Sequence, residues 1–122
     1  MNPSVITSLG YLRVAAYAPR ITVADVEFNV TEILSNAEQA KADAVEVAVF
    51  PELCITGYTC GDLFRQPTLL EGARVGLDRI RRWSAGVPMV LVVGLPIVSS
   101  GRLYNIAAVV QDGHILACIP KT

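Results

Sequence analysis

Two ionisable residues occupy matched positions in the chain. Glu52 follows the apolar run and proline of Val47-Ala48-Val49-Phe50-Pro51, and Lys121 follows Ile115-Leu116-Ala117-Cys118-Ile119-Pro120. Together they offer a proton acceptor and a fixed positive charge, the kinds of group that acid–base and electrostatic catalysis draw on. A carboxylate at the edge of a core must be solvated, paired or given a task, and a solvated loop glutamate or one capping a neighbouring amide meets that need equally simply. Lys121 has the same plain alternative, a solvated lysine. What sets both apart is the repetition: apolar run, proline, one charge, once of each sign. Tyr58 adds a hydroxyl in the loop after Glu52, where it can hydrogen-bond a ligand or simply pack.

The chain's three cysteines are the candidate nucleophiles. An activated thiol must be exposed and close to a base or a positive charge. Cys54 is two residues from Glu52, and successive side chains of an extended segment point apart. Cys60 falls in the loop, and Cys118 in a strand-like run where a small buried hydrophobe is the ordinary expectation. None is expected to react. The Cys54–Cys60 spacing fits no metal pattern and His114 has no partner at ligand spacing, so no metal site is expected. Asn105 interrupts an apolar strand and is expected to satisfy nearby backbone groups. Arg74, Arg79, Arg81 and Arg82 fall mostly away from the apolar face of their helix and read as solvated surface. Gly94 follows a strand-like run, but no Gly-x-Gly or Gly-Lys-Ser pattern accompanies it, so no ATP or dinucleotide site is expected in this segment.

These residues must be positioned by the elements around them. Leu12–Tyr17 reads as a short strand ending near Pro19. In the segment from Thr22 to Asp43, Val23, Val26, Val30, Ile33, Leu34 and Ala37 recur at steps of three and four, one face of a helix, with Thr22 or Asp25 as its cap. "EVAVF" is a continuous apolar run, as expected of a strand covered on both faces. Pro67 can open a second helix whose buried face is Leu70, Ala73, Leu77 and Ile80, with Gly86 as its stop. "PMVLVVGLP" is a third strand. "RLYNIAAVV" and "HILACIP" flank Asp112-Gly113, a pair suited to a tight hairpin turn needing positive φ. Strand–helix alternation followed by a hairpin predicts an α/β fold: a mixed sheet with flanking helices.

At 122 residues, 52% hydrophobic and 17% charged, the chain suits one domain with a real core. A net charge of -1 gives no long-range field for nucleic acid, and no apolar stretch approaches the roughly 20 residues of a membrane helix. The first residues lack the pattern of a secretory leader, so with an odd number of cysteines the thiols are expected reduced, in the cytoplasm. The last strand stops at Lys121-Thr122 with nothing capping it, and a fragment of a longer protein is expected.

The ordered set "VFPELCITGYTCGDLF" and "YNIAAVVQDGHILACIPKT" resembles the nitrilase, or carbon–nitrogen hydrolase, superfamily over about Leu12 to Thr122. Thr56-Gly57-Tyr58 followed by Asp62-Leu63-Phe64 is similar, within it, to the glutaminase domains of glutamine-dependent NAD synthetases. The resemblance implies roughly the first half of a four-layer α-β-β-α sandwich, residues 1–122 being a partial glutaminase domain without its nucleophile-bearing half or the synthetase domain. It implies Glu52 as general base, Lys121 as stabiliser of a tetrahedral oxyanion, Tyr58 on the substrate side, and a cysteine nucleophile beyond the lysine. Burial beside an apolar strand end is expected to raise the Glu52 pKa, and the nearby ammonium to pull it back. Glutamine would be the substrate, with deamido-NAD, ATP and Mg engaged by the synthetase domain, and the protein a homo-oligomer. A stand-alone amidase of the same superfamily and a non-catalytic α/β module are the alternatives. This chain by itself is expected to be inactive.

Overall fold

Two parallel crossovers and two hairpins lay five strands side by side in sequence order. In the structure, a computed structural model that describes residues 8–122, these are β1 (Val14–Ala16), β2 (Val47–Val49), β3 (Val90–Ser99), β4 (Arg102–Gln111) and β5 (His114–Pro120). Pairs β1–β2 and β2–β3 are parallel, and β3–β4 and β4–β5 antiparallel, so the sheet is mixed as expected. The parallel pairs need long returns, supplied by helices α1 (Val26–Ala42) and α2 (Pro67–Trp83). The antiparallel pairs need only two residues each. Asp112 and Gly113 turn with φ 47 and 75, and Ser100 and Gly101, not singled out from the sequence, do the same with φ 51 and 75. The reading of a missing leader falls partly on residues 1–7, outside the described residues.

Asp25, rather than Thr22, caps α1, its carboxylate accepting from the Phe28 N–H at 3.0 Å. Val23 therefore lies before the helix and is exposed, not part of its buried face. Val30, Ile33, Ala37 and Ala40 form that face. Pro67 opens α2 as expected, and the buried positions are Leu69, Ala73, Gly76, Leu77 and Ile80, while Leu70 is only half-buried. The helix stops at Trp83, and the chain then reverses at Gly86 with φ 79.

Both helices contribute to one cluster with alternate strand residues Ala48, Leu91, Val93, Leu95, Ile106, Ala108 and Val110. Each large aliphatic side chain closed off there contributes roughly 1.5–3 kcal/mol of transfer free energy. Most of the strand residues between them have no helix over them, although Gly94 and Pro96 are buried. Val49 and Ile119 are exposed, and Val92, Ala107 and Val109 half-exposed. The expectation that the "EVAVF" strand is covered on both faces therefore fails: within these residues only one face has helices to bury it. β5 is exposed throughout, Cys118 included, which corrects its expected burial. Among the described residues, no helix is long and apolar enough to cross a membrane.

Candidate functional site

The site lies where β2 ends. After Phe50 the chain leaves the sheet at Pro51, which has no N–H to continue the ladder. It then folds tightly back, the Cys54 N–H donating to the Pro51 carbonyl and the Gly57 N–H to that of Leu53. Leu53 takes φ 55, a left-handed conformation that costs a residue with a Cβ about 1–2 kcal/mol. The surroundings hold it there. Ile55 N–H donates to Gly94 O at 3.1 Å, and buried Asn29 ties α1 to this turn through the Ile55 carbonyl at 3.1 Å. Asn29 also accepts from the Thr22 N–H and donates to the Thr22 carbonyl, so its amide is fully occupied.

Gly94 explains how the turn can lie so close to the sheet. A Cβ built there would stand 2.4 Å from the Leu53 nitrogen and 2.9 Å from the Pro51 oxygen. Gly94 thus lies inside β3 rather than after it, and serves close backbone approach rather than phosphate binding.

Glu52 projects from this turn over the helix-free face. Lys121, at the end of β5, reaches the same place from the other side of β4. Its Nζ donates to Glu52 Oε1 at 2.8 Å. The Asn105 side-chain amide, on β4, donates to the same oxygen at 2.7 Å. Asn105 is the residue that sequence reasoning missed: it was expected to serve backbone groups, and it holds a carboxylate instead. Its only signal was an amide interrupting an apolar strand. Tyr58 is exposed, at 63%, in a loop that stays non-helical from Gly57 until a 3-10 turn begins at Gly61. An open cleft of about 480 Å³ runs over Val49, Val92, Gly94, Ala107 and Ile119 up to Glu52 and Lys121.

The electrostatics differ from expectation in one respect. Glu52 is not raised but held below the ordinary carboxylate range, first by the Lys121 hydrogen bond, then by that of Asn105, both outweighing desolvation. The apolar strand end does not bury it here, its side chain remaining 36% exposed. Lys121 is correspondingly raised, chiefly by its bond to Glu52. At neutral pH the site therefore carries an ionised base beside an ammonium. The thiols stand apart from it. Cys54 is closed off against the Gly94 backbone and burial pushes it up to about 11, Cys60 is buried over the Thr56 and Gly57 carbonyls, and Cys118 is exposed on β5. Among the described residues, no group of three or more His, Cys, Asp and Glu could hold a metal ion.

An α/β sheet with a Phe-Pro-Glu turn and a strand-end lysine joined on its open face defines a class. The carbon–nitrogen hydrolase family model matches residues 13–121, and the chain belongs to that family. Among its relatives, the glutamine-dependent NAD(+) synthetase of Mycobacterium tuberculosis is 36% identical over 113 residues, covering 93% of this chain and 17% of that protein. The crystal structure of a glutamine-dependent NAD(+) synthetase from Cytophaga hutchinsonii superposes with a TM-score of 0.86 at 34% identity, over 91% of this chain and 19% of that one. The structure of a glutamine-dependent NAD+ synthetase from Acinetobacter baumannii, in complex with ADP, gives 0.77 at 26% identity, over 85% of this chain and 20% of that one. The chain thus spans about a fifth or less of the length of these proteins.

Proposed function

We propose that this chain carries the base and the lysine of a glutaminase that feeds ammonia to a glutamine-dependent NAD synthetase. The observation that carries the reading is the 2.8 Å contact between Lys121 Nζ and Glu52 Oε1 at the ends of strands of a carbon–nitrogen hydrolase sheet. The cysteine nucleophile belongs to the part of the full-length protein that this chain does not span. Residues 1–122 are then the base-bearing part of the glutaminase domain, and the bare sheet face is where the remainder, or a second subunit of a homo-oligomer, packs.

Each group has a defined task. Glu52 takes the thiol proton as sulfur attacks the glutamine amide carbon, and the oxygen that becomes negative is met by the Lys121 ammonium. Lys121 has three N–H donors, so its bond to Glu52 leaves others for that oxygen. The C–N bond then breaks, ammonia leaves with the proton returned by Glu52, and a thioester remains. Glu52 next takes a proton from water, which attacks the thioester carbon; the C–S bond breaks, releasing glutamate and restoring the thiol. Tyr58, exposed in the loop after Glu52, would hydrogen-bond the substrate. The ammonia would be consumed in converting deamido-NAD to NAD with ATP and Mg, in the cytoplasm. Among the described residues no group of three or more His, Cys, Asp and Glu could hold the metal, and the space over Gly94, within β3, is taken up by the Leu53 and Pro51 backbone.

The test is glutamate formation by the full-length protein supplied with glutamine. Glu52→Gln and Lys121→Met are each expected to lower kcat by about 10²-fold or more, and the 122-residue chain alone to give no turnover. A full-length protein that does not hydrolyse glutamine would overturn the reading in favour of another carbon–nitrogen substrate.

A further inference from the structure

Asn105 touches both charged residues, the carboxylate of one and the backbone of the other. Its side-chain amide donates to Glu52 Oε1 at 2.7 Å, and its backbone carbonyl accepts the Lys121 backbone N–H at 2.8 Å. A carboxylate can only accept, so the NH₂ end of the amide must face Glu52. Lys121 Nζ donates to that same Oε1. Among the described residues, both donors go to one oxygen and neither to Oε2. The register makes this possible. Pro96 is the residue opposite Asn105 on β3, and its missing N–H costs no ladder bond because the Asn105 carbonyl points the other way, to Lys121. One residue on β4 thus ties together two residues that lie 69 positions apart in sequence.

We propose that Asn105 is the positioning residue of the Glu52 base, fixing Oε1 jointly with Lys121 so that Oε2 is the oxygen presented for proton transfer. The proton-transfer part rests on the glutaminase reading; the hold on Glu52 does not. A hydrogen bond to the charged form of a carboxylate favours ionisation, so removing the amide lets Glu52 protonate at higher pH. Asn105→Asp keeps the size of the side chain but replaces a donor with a second negative charge, which moves Glu52 further in the same direction.

The experiment uses the full-length protein as wild type, Asn105→Ala and Asn105→Asp, with two readouts across pH. One is kcat/KM for glutamine. The other is carbodiimide labelling of Glu52, followed by peptide mass spectrometry, which falls as the carboxyl ionises and needs no substrate. The acid limb of the rate profile and the labelling midpoint are both expected to rise in the order wild type, Asn105→Ala, Asn105→Asp. The kcat of Asn105→Ala should fall about 10- to 100-fold, with KM little changed, as for a misplaced catalytic group. Midpoints that stay put in both variants overturn the proposal even if kcat falls, since a merely structural loss lowers rate without moving a carboxyl's titration. If Asn105→Ala does not fold, the isosteric aspartate decides alone. If wild type hydrolyses no glutamine while the labelling midpoints still shift in order, the glutaminase reading fails and the hold of Asn105 on Glu52 stands.

Discussion

Leu91, Val93 and Leu95 on β3 are closed to solvent beneath the two helices, while Val92, one residue along the same strand, is half-exposed on the opposite face. The two faces share a backbone and nearly the same apolar composition, yet they do different work. The helix-covered face joins Ile33, Ile80 and Ala73 to the strands in one cluster. The open face gathers Glu52, Asn105 and Lys121 at one end. Side-chain alternation along each strand is what separates the two tasks, so a substitution's consequence depends on the parity of its position.

The sharpest way to break this comparison is a pair of neighbours. Leu91→Ala removes a fully buried side chain from the covered face and is expected to cost about 2–5 kcal/mol. Val92→Ala, half-exposed, should cost well under about 1 kcal/mol. Urea denaturation of this chain measures both, and equal losses would mean that the open face is already packed in solution. Next in size is Asn29→Ala. It leaves the Thr22 N–H and the Ile55 carbonyl without this partner, at roughly 1 kcal/mol each, and takes from the Thr22 carbonyl one of its two donors, the Asp25 N–H remaining, for about 2–3 kcal/mol in all. A loss this large, from a polar residue, would show that the covered face also anchors the turn bearing Glu52.

Gly94→Ala probes the point where the two faces meet. Its Cβ would press on the Leu53 nitrogen and Pro51 oxygen, backbone atoms that cannot swing aside, for a cost of about 1–3 kcal/mol. Because the strained atoms belong to the Glu52 turn, glutamine hydrolysis by the full-length protein should suffer more than stability does. A variant that loses stability but keeps full activity would show that Glu52 does not depend on that close approach.

The architecture was largely legible because its signals are local. Pro67 opens α2, Asp112-Gly113 turns the hairpin, and prolines 51 and 120 mark the strand ends that carry charge. Asn105 was not legible in its role, since an amide in an apolar strand looks the same whether it serves a neighbouring carbonyl or a carboxylate 53 residues away. Gly94 was similarly opaque, because the turn that crosses it arrives from a distant part of the chain. Cys118 and the charge state of Glu52 were misjudged for one shared reason. Hydrophobicity says that a strand face seeks cover, not whether the covering residues lie in the same chain. Without that cover, Cys118 is exposed and the hydrogen bonds to Glu52 outweigh desolvation.

The smallest expected effect is the pH dependence of the Glu52–Lys121 pair, whose side chains are 36% and 62% exposed. Glu52 is depressed in the folded state, so its share of the pair's stabilisation is whole above the unfolded glutamate pKa and is lost as pH falls through the depressed value. Lys121 is raised, so its share is whole below the unfolded lysine pKa and is lost as pH rises through the folded one. Lys121→Met should therefore lower Tm slightly across the neutral range, with the difference from wild type closing at both the acid and alkaline ends. Salt should shrink it throughout, since exposed charges are readily screened. Thermal unfolding at a series of pH values measures this directly. A difference that persists unchanged into strong acid would mean that Lys121 stabilises the open face through its aliphatic stem rather than through Glu52.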